Sequence, residues 1–175
     1  MKNYLIIIQA RTGSKRFPKK IIKKIDGKTI IEILLDRLNK NFKKEKIIIA
    51  TTKNKKDDIL CKIAKKKGIK YFRGSENNVM SRFIQIGKIY KLDFIIRITS
   101  DCPLIDPELV SKMLNIFLVK KIDYLSNTLP FEKKTFPDGS DIEVFKYESL
   151  LNSSLSTKRN ELEHVTNQLW KNKKF

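Results

Sequence analysis

Short apolar runs rich in β-branched residues alternate with amphipathic stretches along most of the chain. Tyr4–Ile8, Lys46–Thr51, Ile69–Phe72 and Phe94–Ile98 are brief and nearly continuous in apolar character, the pattern of strands buried on both faces. Between them the period changes to that of a helix. Ile30, Ile31, Leu34, Leu35 and Leu38 mark one amphipathic helix, and Ile59, Leu60, Ile63 and Ala64 a second over Asp57–Lys67, with Gly68 as its stop. Val79, Met80, Phe83, Ile86 and Ile89 form the stripe of a third over Val79–Tyr90. Asp106-Pro107-Glu108 is a helix start, with an N-cap aspartate, proline at the first helical position and an acid in the first turn, continued by Val110, Met113, Leu114 and Phe117.

The second half is less regular. Ile21–Asp26 reads as a short connector, Tyr124–Ser126 as a further strand, and Pro130–Gly139 as an irregular loop. The alternation in Asp141–Phe145 predicts a half-exposed strand, and Glu148–Ser154 and Glu161–Lys171 are predicted helices. Strand and helix alternate throughout, which predicts an α/β fold: a three-layer α/β/α sandwich around a mostly parallel sheet with right-handed crossovers. With 175 residues, 41% of them hydrophobic, the expectation is one domain over residues 1–175.

Charge changes this picture less than its size suggests. The formal net charge is +19, but 31 of the 38 basic residues are lysine, and they are spread along the chain. Diffuse lysine is weak support for a polyanion partner, so neither nucleic acid nor a membrane is expected. Cys61 and Cys102 form no C-x-x-C, and a single histidine cannot complete a Cys/His zinc set. The apolar run at the N-terminus is too short for a signal peptide or a membrane span, so a soluble cytoplasmic protein is expected.

One stretch concentrates charge where chemistry is expected. Gln9-Ala-Arg-Thr-Gly-Ser-Lys-Arg-Phe-Pro-Lys-Lys20 carries five cations, Arg11, Lys15, Arg16, Lys19 and Lys20, and no acid. It follows the first strand directly, and in open α/β sheets ligands bind outside the carboxyl ends of the strands. Gly13 and Pro18 shape a turn whose backbone N–H groups could face phosphate oxygens. Asp101 leaves the carboxyl end of the strand Phe94–Ile98, so it is expected to share that crevice. Neither G-x-G-x-x-G nor G-x-x-x-x-G-K-[ST] occurs.

Four stretches in this order resemble one family: Ile8–Lys20, Phe72-Arg-Gly-Ser-Glu76, Arg97-Ile-Thr-Ser-Asp-Cys-Pro-Leu-Ile-Asp106 and Phe136-Pro-Asp-Gly-Ser-Asp-Ile-Glu-Val-Phe145. Together with Glu163-His-Val-Thr166 they make the chain similar to cytidylyltransferases of the spore-coat polysaccharide biosynthesis type. More distant relatives are the enzymes that activate deoxy-manno-octulosonate and acylneuraminate. The resemblance implies a Rossmann-like nucleotide-sugar transferase sheet and CMP transfer from CTP to a sugar or sugar acid, with Mg²⁺, for surface polysaccharide synthesis. It implies nucleotide-binding roles for Gln9, Ala10, Arg11, Gly13, Ser14 and Lys20, and a metal-ligand role for Asp101. It places Asp138 and Gly139 near the acceptor, and pairing into a homodimer is common in such families.

Two departures stand out. Relatives carry Leu-Pro-Gly-Lys where this chain has Phe17-Pro-Lys-Lys20, which puts Lys19 in a glycine's place and implies a change in loop geometry. Relatives also continue to a later strand and helix, with a Val-Asp whose aspartate completes the metal site, and this chain has no such stretch. Asp141 is the candidate replacement, and impaired activity is the alternative.

The expected chemistry is nucleotidyl transfer, in which Arg11, Lys20 and Asp101 carry the catalytic work by holding phosphates and metal. Several residues keep two readings. Asp106 is read as an N-cap, Asp138 and Gly139 as a turn or an acceptor contact, and Cys102 as a small buried side chain. Arg73 and Arg82 are read either as anion ligands or as salt-bridge partners of Glu76 and nearby acids, and His164 as a surface or core histidine. Two other classes remain: a non-catalytic nucleotide-binding relative, and a basic nucleic-acid-binding protein.

Overall fold

The computed structural model describes residues 2–13, 17–128, 136–137, 139–156 and 162–171. Its centre is a six-stranded sheet built from β1 (Tyr4–Gln9), β4 (Ile47–Thr52), β5 (Lys70–Gly74), β6 (Phe94–Thr99), β7 (Tyr124–Ser126) and β8 (Ile142–Lys146). The order is β5-β4-β1-β6-β8-β7. β5, β4, β1 and β6 are parallel neighbours, and β8 enters antiparallel between β6 and β7. The α/β reading therefore holds, with a mostly parallel sheet.

The helices cover both faces. α1 (Ile30–Leu38), α2 (Asp58–Lys67) and α4 (Pro107–Lys120) pack on one side, where Leu34, Leu35, Leu60, Val110 and Phe117 meet Ile6, Ile8 and Ile96. α3 (Val79–Tyr90), α5 (Tyr147–Ser156) and α6 (Asn167–Lys171) lie on the other, where Phe83, Ile86, Leu150 and Leu169 meet Leu5, Ile7 and Phe145. Each strand of the β1/β4/β6 centre sends alternate side chains to opposite layers, so its apolar run is nearly unbroken. α3 and α5 approach closely at Gly87, where an added Cβ would lie 2.2 Å from the Tyr147 ring.

Local signals explain most element ends. Asp106 caps α4 by accepting from the Glu108 backbone N–H at 2.9 Å, and Pro107 opens the helix. Thr29 and Glu32 form a reciprocal capping box at the start of α1, and Gly68 ends α2 in the left-handed conformation at φ 68. Lysines take that left-handed role after α3 and α4, with Lys91 at φ 49 and Lys121 at φ 52.

Three expectations are corrected. The connector at Ile21–Asp26 is a 3₁₀ turn at Lys20–Ile22 followed by a small hairpin, β2 (Lys24–Ile25) and β3 (Lys28–Thr29). Asp26 and Gly27 both have positive φ at its tip, as a two-residue hairpin requires. β8 is not half-exposed: Ile142, Glu143, Val144 and Phe145 are all buried, because the strand inserts between two others and is covered on both faces. Its alternation is real, but the polar position faces an internal hydrogen-bond network instead of solvent. Finally, residues 162–166 form turns, and the last helix begins only at Asn167. Val165 and Thr166 are drawn inward, and the Thr166 hydroxyl donates to Glu143 at 2.6 Å.

Candidate active site

Parallel strands place their carboxyl ends on one edge, and the sites follow from what leaves that edge. The β1–β6 ladder pairs Gln9 with Thr99 and is extended by Ser100 N–H donating to Gln9 O at 3.0 Å. The segment after β1 and the one after β6 therefore start side by side. Gln9, Arg11, Lys20, Ile21, Arg82, Thr99, Ser100 and Asp101 line one cavity of about 190 Å³. Arg11 and Asp101, expected from sequence to share a crevice, do so.

The basic loop is anchored by a carboxylate that sequence reading treated only as a helix start. Asp57 is fully buried and accepts from the Thr12 N–H at 2.8 Å, the Thr12 hydroxyl at 2.6 Å and the Thr52 hydroxyl. Thr12 O in turn accepts from Lys19 N–H at 3.0 Å, which closes the neck of the loop and sets Lys20 at the cavity. Lys19 itself is left-handed, at φ 58 and ψ 20. This is a backbone conformation that a glycine adopts without a Cβ penalty, and here a lysine adopts it.

Arg82 is the residue sequence reading left undecided. Its side chain is 1% exposed and lines the cavity from α3 beside Arg11 and Lys20. Nη1 donates to Ala50 O at 3.0 Å, while the buried Nε has no hydrogen-bond partner among the described residues. It makes no ion pair with Glu76, which instead pairs with Lys56 at 3.2 Å. Burial, reinforced by repulsion from Arg11, pushes its guanidinium down to about 10. Gly74 permits this placement, since a Cβ there would stand 2.6 Å from Arg82 Cγ. Arg73 points elsewhere and bridges Asp58 at 2.6 Å.

A second cavity of about 240 Å³ adjoins the first and shares Thr99 as a wall. Its lining includes Arg97, Thr128, Asp141, Glu143, His164 and Trp170. Asp141 is positioned because Asn127, just beyond β7, donates to Ser140 O at 2.7 Å and accepts from Ile142 N–H at 2.8 Å. Gly139, at φ 85, makes the turn before it. Behind the cavity Glu143 accepts from Arg97, from the Tyr124 hydroxyl at 2.6 Å and from the Thr166 hydroxyl. Burial opposes its charge, yet Arg97 and these two hydroxyls hold its carboxyl below the usual range, and burial beside Glu143 raises the Tyr124 phenol.

The two carboxylates expected to bind metal both approach the Cys102 thiol. Cys102 Sγ lies 3.9 Å from Asp101 Oδ1 and 3.7 Å from Asp141 Oδ2, and burial pushes its thiol up to about 11, so it is neutral at pH 7. Neither aspartate makes an ion pair among the described residues, and no group of three His, Cys, Asp or Glu is arranged there to hold a metal. Two carboxylates completed by phosphate oxygens and water fit the needs of Mg²⁺, which takes few protein ligands.

Two other expected residues, Ala10 and Gly13, line neither cavity. Ala10 is buried, and its N–H is bonded to Ala50 O at 3.1 Å. Gly13 sits against Lys56, whose Nζ would be 3.0 Å from an added Cβ. Ser14 and Asp138, with Lys15 and Arg16, fall outside the described residues. Arg82, Arg97, Glu143 and Asp57 are what sequence reading missed or left open. His164, read as a surface or core histidine, borders the second cavity together with Trp170.

A mostly parallel sheet with cations and a carboxylate converging beyond two adjacent strands defines an α/β protein with a candidate ligand crevice at the carboxyl ends of its strands. Comparison with known proteins sharpens that class: residues 5–161 match the cytidylyltransferase family, to which the chain belongs. An uncharacterised protein of Methanocaldococcus jannaschii is 40% identical over 95% of this chain, which spans 66% of that protein. The spore coat polysaccharide biosynthesis protein SpsF of Bacillus subtilis is 37% identical over 71% of this chain and 53% of its own length. The structure of a cytidylyltransferase from Leptospira borgpetersenii superposes with a TM-score of 0.92 at 36% identity, covering 99% of this chain and 73% of that one. The chain thus spans between about half and two thirds of these two relatives. Among the described residues no helix is long and apolar enough to cross a membrane.

Proposed function

We propose that the protein is a CTP-dependent nucleotidyltransferase that moves CMP onto a sugar or sugar acid for surface polysaccharide synthesis. The observation that carries this is the convergence of Arg11, Lys20, Arg82 and Asp101 on one cavity in a chain of the cytidylyltransferase family. The nucleotide's phosphates lie in this first cavity. The acceptor lies in the second, where hydroxyl, amide, charged and aromatic groups meet, as polyol recognition requires.

Across the shared wall at Thr99 an acceptor hydroxyl attacks the α-phosphorus in line. The new P–O bond forms as the α–β bridging bond breaks, pyrophosphate departs with that electron pair, and the hydroxyl proton leaves to solvent. Arg11, Lys20 and Arg82 stabilise charge on the departing oxygens, and their fixed placement avoids reorganisation during the step. Asp101 and Asp141 would hold Mg²⁺, which when bound neutralises phosphate charge.

The deciding measurement is pyrophosphate release with each of four nucleoside triphosphates over a panel of sugars and sugar acids. Release with CTP and one acceptor class is expected. CTP binding without release would mark a nucleotide-binding relative, and salt-sensitive oligonucleotide binding with no CTP affinity would overturn the proposal.

A further inference from the structure

We infer that Arg97 and Glu143 form a positioning unit that locks the Gln9 side-chain amide in one orientation, with its N–H₂ toward the nucleotide cavity. The inference rests on the cytidylyltransferase reading above. Arg97 donates twice to Gln9 Oε1, from Nε at 3.2 Å and from Nη2 at 3.0 Å. A guanidinium carries donors only, so the amide atom against it must be the oxygen, and the nitrogen with its two donors must turn away. Gln9 lines the first cavity beside Arg11 and Lys20, whereas Arg97 lines the second, so the amide stands in the partition between them.

The unit cannot relax easily. The third arm of Arg97, Nη1, is held by Glu143 directly across the β6–β8 register. Glu143 is 6% exposed, and its other oxygen already accepts from Tyr124 and Thr166. Arg97 is therefore fixed from β7, β8 and the turn before α6, and it is not available to swing toward a phosphate. Its contribution to binding passes through Gln9.

The consequence is a rule of selection. The wall at Gln9 offers a hydrogen-bond donor, which donates to an oxygen of the nucleotide, whether a phosphate oxygen or a carbonyl, and disfavours an N–H at the same point. Losing one such bond to a charged group corresponds to roughly a 10- to 100-fold change in affinity.

The test is CTP binding by isothermal titration calorimetry, alongside thermal unfolding, for the full chain and for Gln9→Glu, Gln9→Met and Arg97→Met. Gln9→Glu keeps an oxygen for Arg97 but turns a second, negative oxygen to the cavity. CTP affinity is expected to fall roughly 10- to 100-fold with no loss of thermal stability. Gln9→Met loses the donor at similar shape, and Arg97→Met frees the amide to rotate, so both are expected to raise KM for CTP more than they lower kcat. Unchanged CTP affinity in Gln9→Glu and Gln9→Met overturns the inference while leaving the functional reading intact. Absence of CTP binding by the unaltered protein overturns that reading and the inference with it. Should Arg97→Met fail to fold, the two Gln9 variants decide the question.

Discussion

Arg82→Met separates a ligand-binding cation from a structural one, because the two roles predict opposite effects on the ligand-free protein. Arg82 is almost fully buried, it makes no ion pair among the described residues, and burial has pushed its guanidinium down from its ordinary value to about 10. A depressed value in a base means that the unfolded chain holds the proton more tightly. The penalty is therefore fully present at neutral pH and is relieved only as pH rises from about 10 toward the ordinary guanidinium value. That shift corresponds to a cost on the order of 3 kcal/mol. Methionine keeps the unbranched stem that lies over Gly74 and removes the charge. The lost hydrogen bond leaves Ala50 O still paired with Ala10 N–H, so its removal costs about 1 kcal/mol. The ligand-free variant is then expected to be more stable by about 2 kcal/mol, a rise of roughly 4–8 °C in unfolding temperature. CTP should bind it roughly 10- to 100-fold more weakly, and the thermal shift on adding CTP should shrink accordingly. Differential scanning fluorimetry with and without CTP reads both quantities. A variant that is less stable than the parent yet keeps the full CTP shift would show that Arg82 serves packing alone.

Replacing Arg11 or Lys20 with alanine should lower turnover with CTP by roughly 10²- to 10³-fold, measured by pyrophosphate release. Asp101→Asn should abolish any dependence of that rate on added Mg²⁺, and a normal magnesium titration would count against its role as a metal ligand. Glu143 has a folded value below its unfolded one, so its stabilisation is present above the ordinary carboxylate range and disappears as pH falls through the depressed value. Urea unfolding on the acid side should show a steeper loss of stability in the parent than in Glu143→Gln. Lys19→Gly should stabilise the protein by about 1 kcal/mol, since the left-handed backbone at φ 58 strains any residue with a Cβ, and chemical denaturation would reveal it.

The layers of the fold were readable because a strand buried on both faces and an amphipathic helix have different periods, and β1, β4 and β6 show theirs without interruption. The positions of Arg11 and Asp101 were readable for a related reason, as each lies just past the end of such a strand. What was not readable depended on partners distant in sequence. The Glu143 position looks like the solvent face of an edge strand until β7 and Thr166 are brought to it. Arg82 falls on a helix without a local sign that Gly74 opens a path into the cavity. Asp57 has the sequence of a helix start, and only the contact across 45 residues to Thr12 shows that it secures the basic loop. The hairpin tip at Asp26-Gly27 carried a recognised turn signal and could have been read from sequence.

The reversed direction of β8 has an implication for how such proteins diversify. Because that strand runs against β6, the residues entering it emerge beside the residues leaving β6, so Asp141 and Asp101 reach the same rim from separate parts of the chain. The first cavity is lined entirely from the segment between Gln9 and Asp101, whereas the second combines Arg97 and Thr99 with residues between Thr128 and Trp170. On the proposed assignment of the two cavities, exchange of the later half between homologues is expected to change acceptor preference while Arg97 and Thr99 stay in place as the seam that both parts must fit.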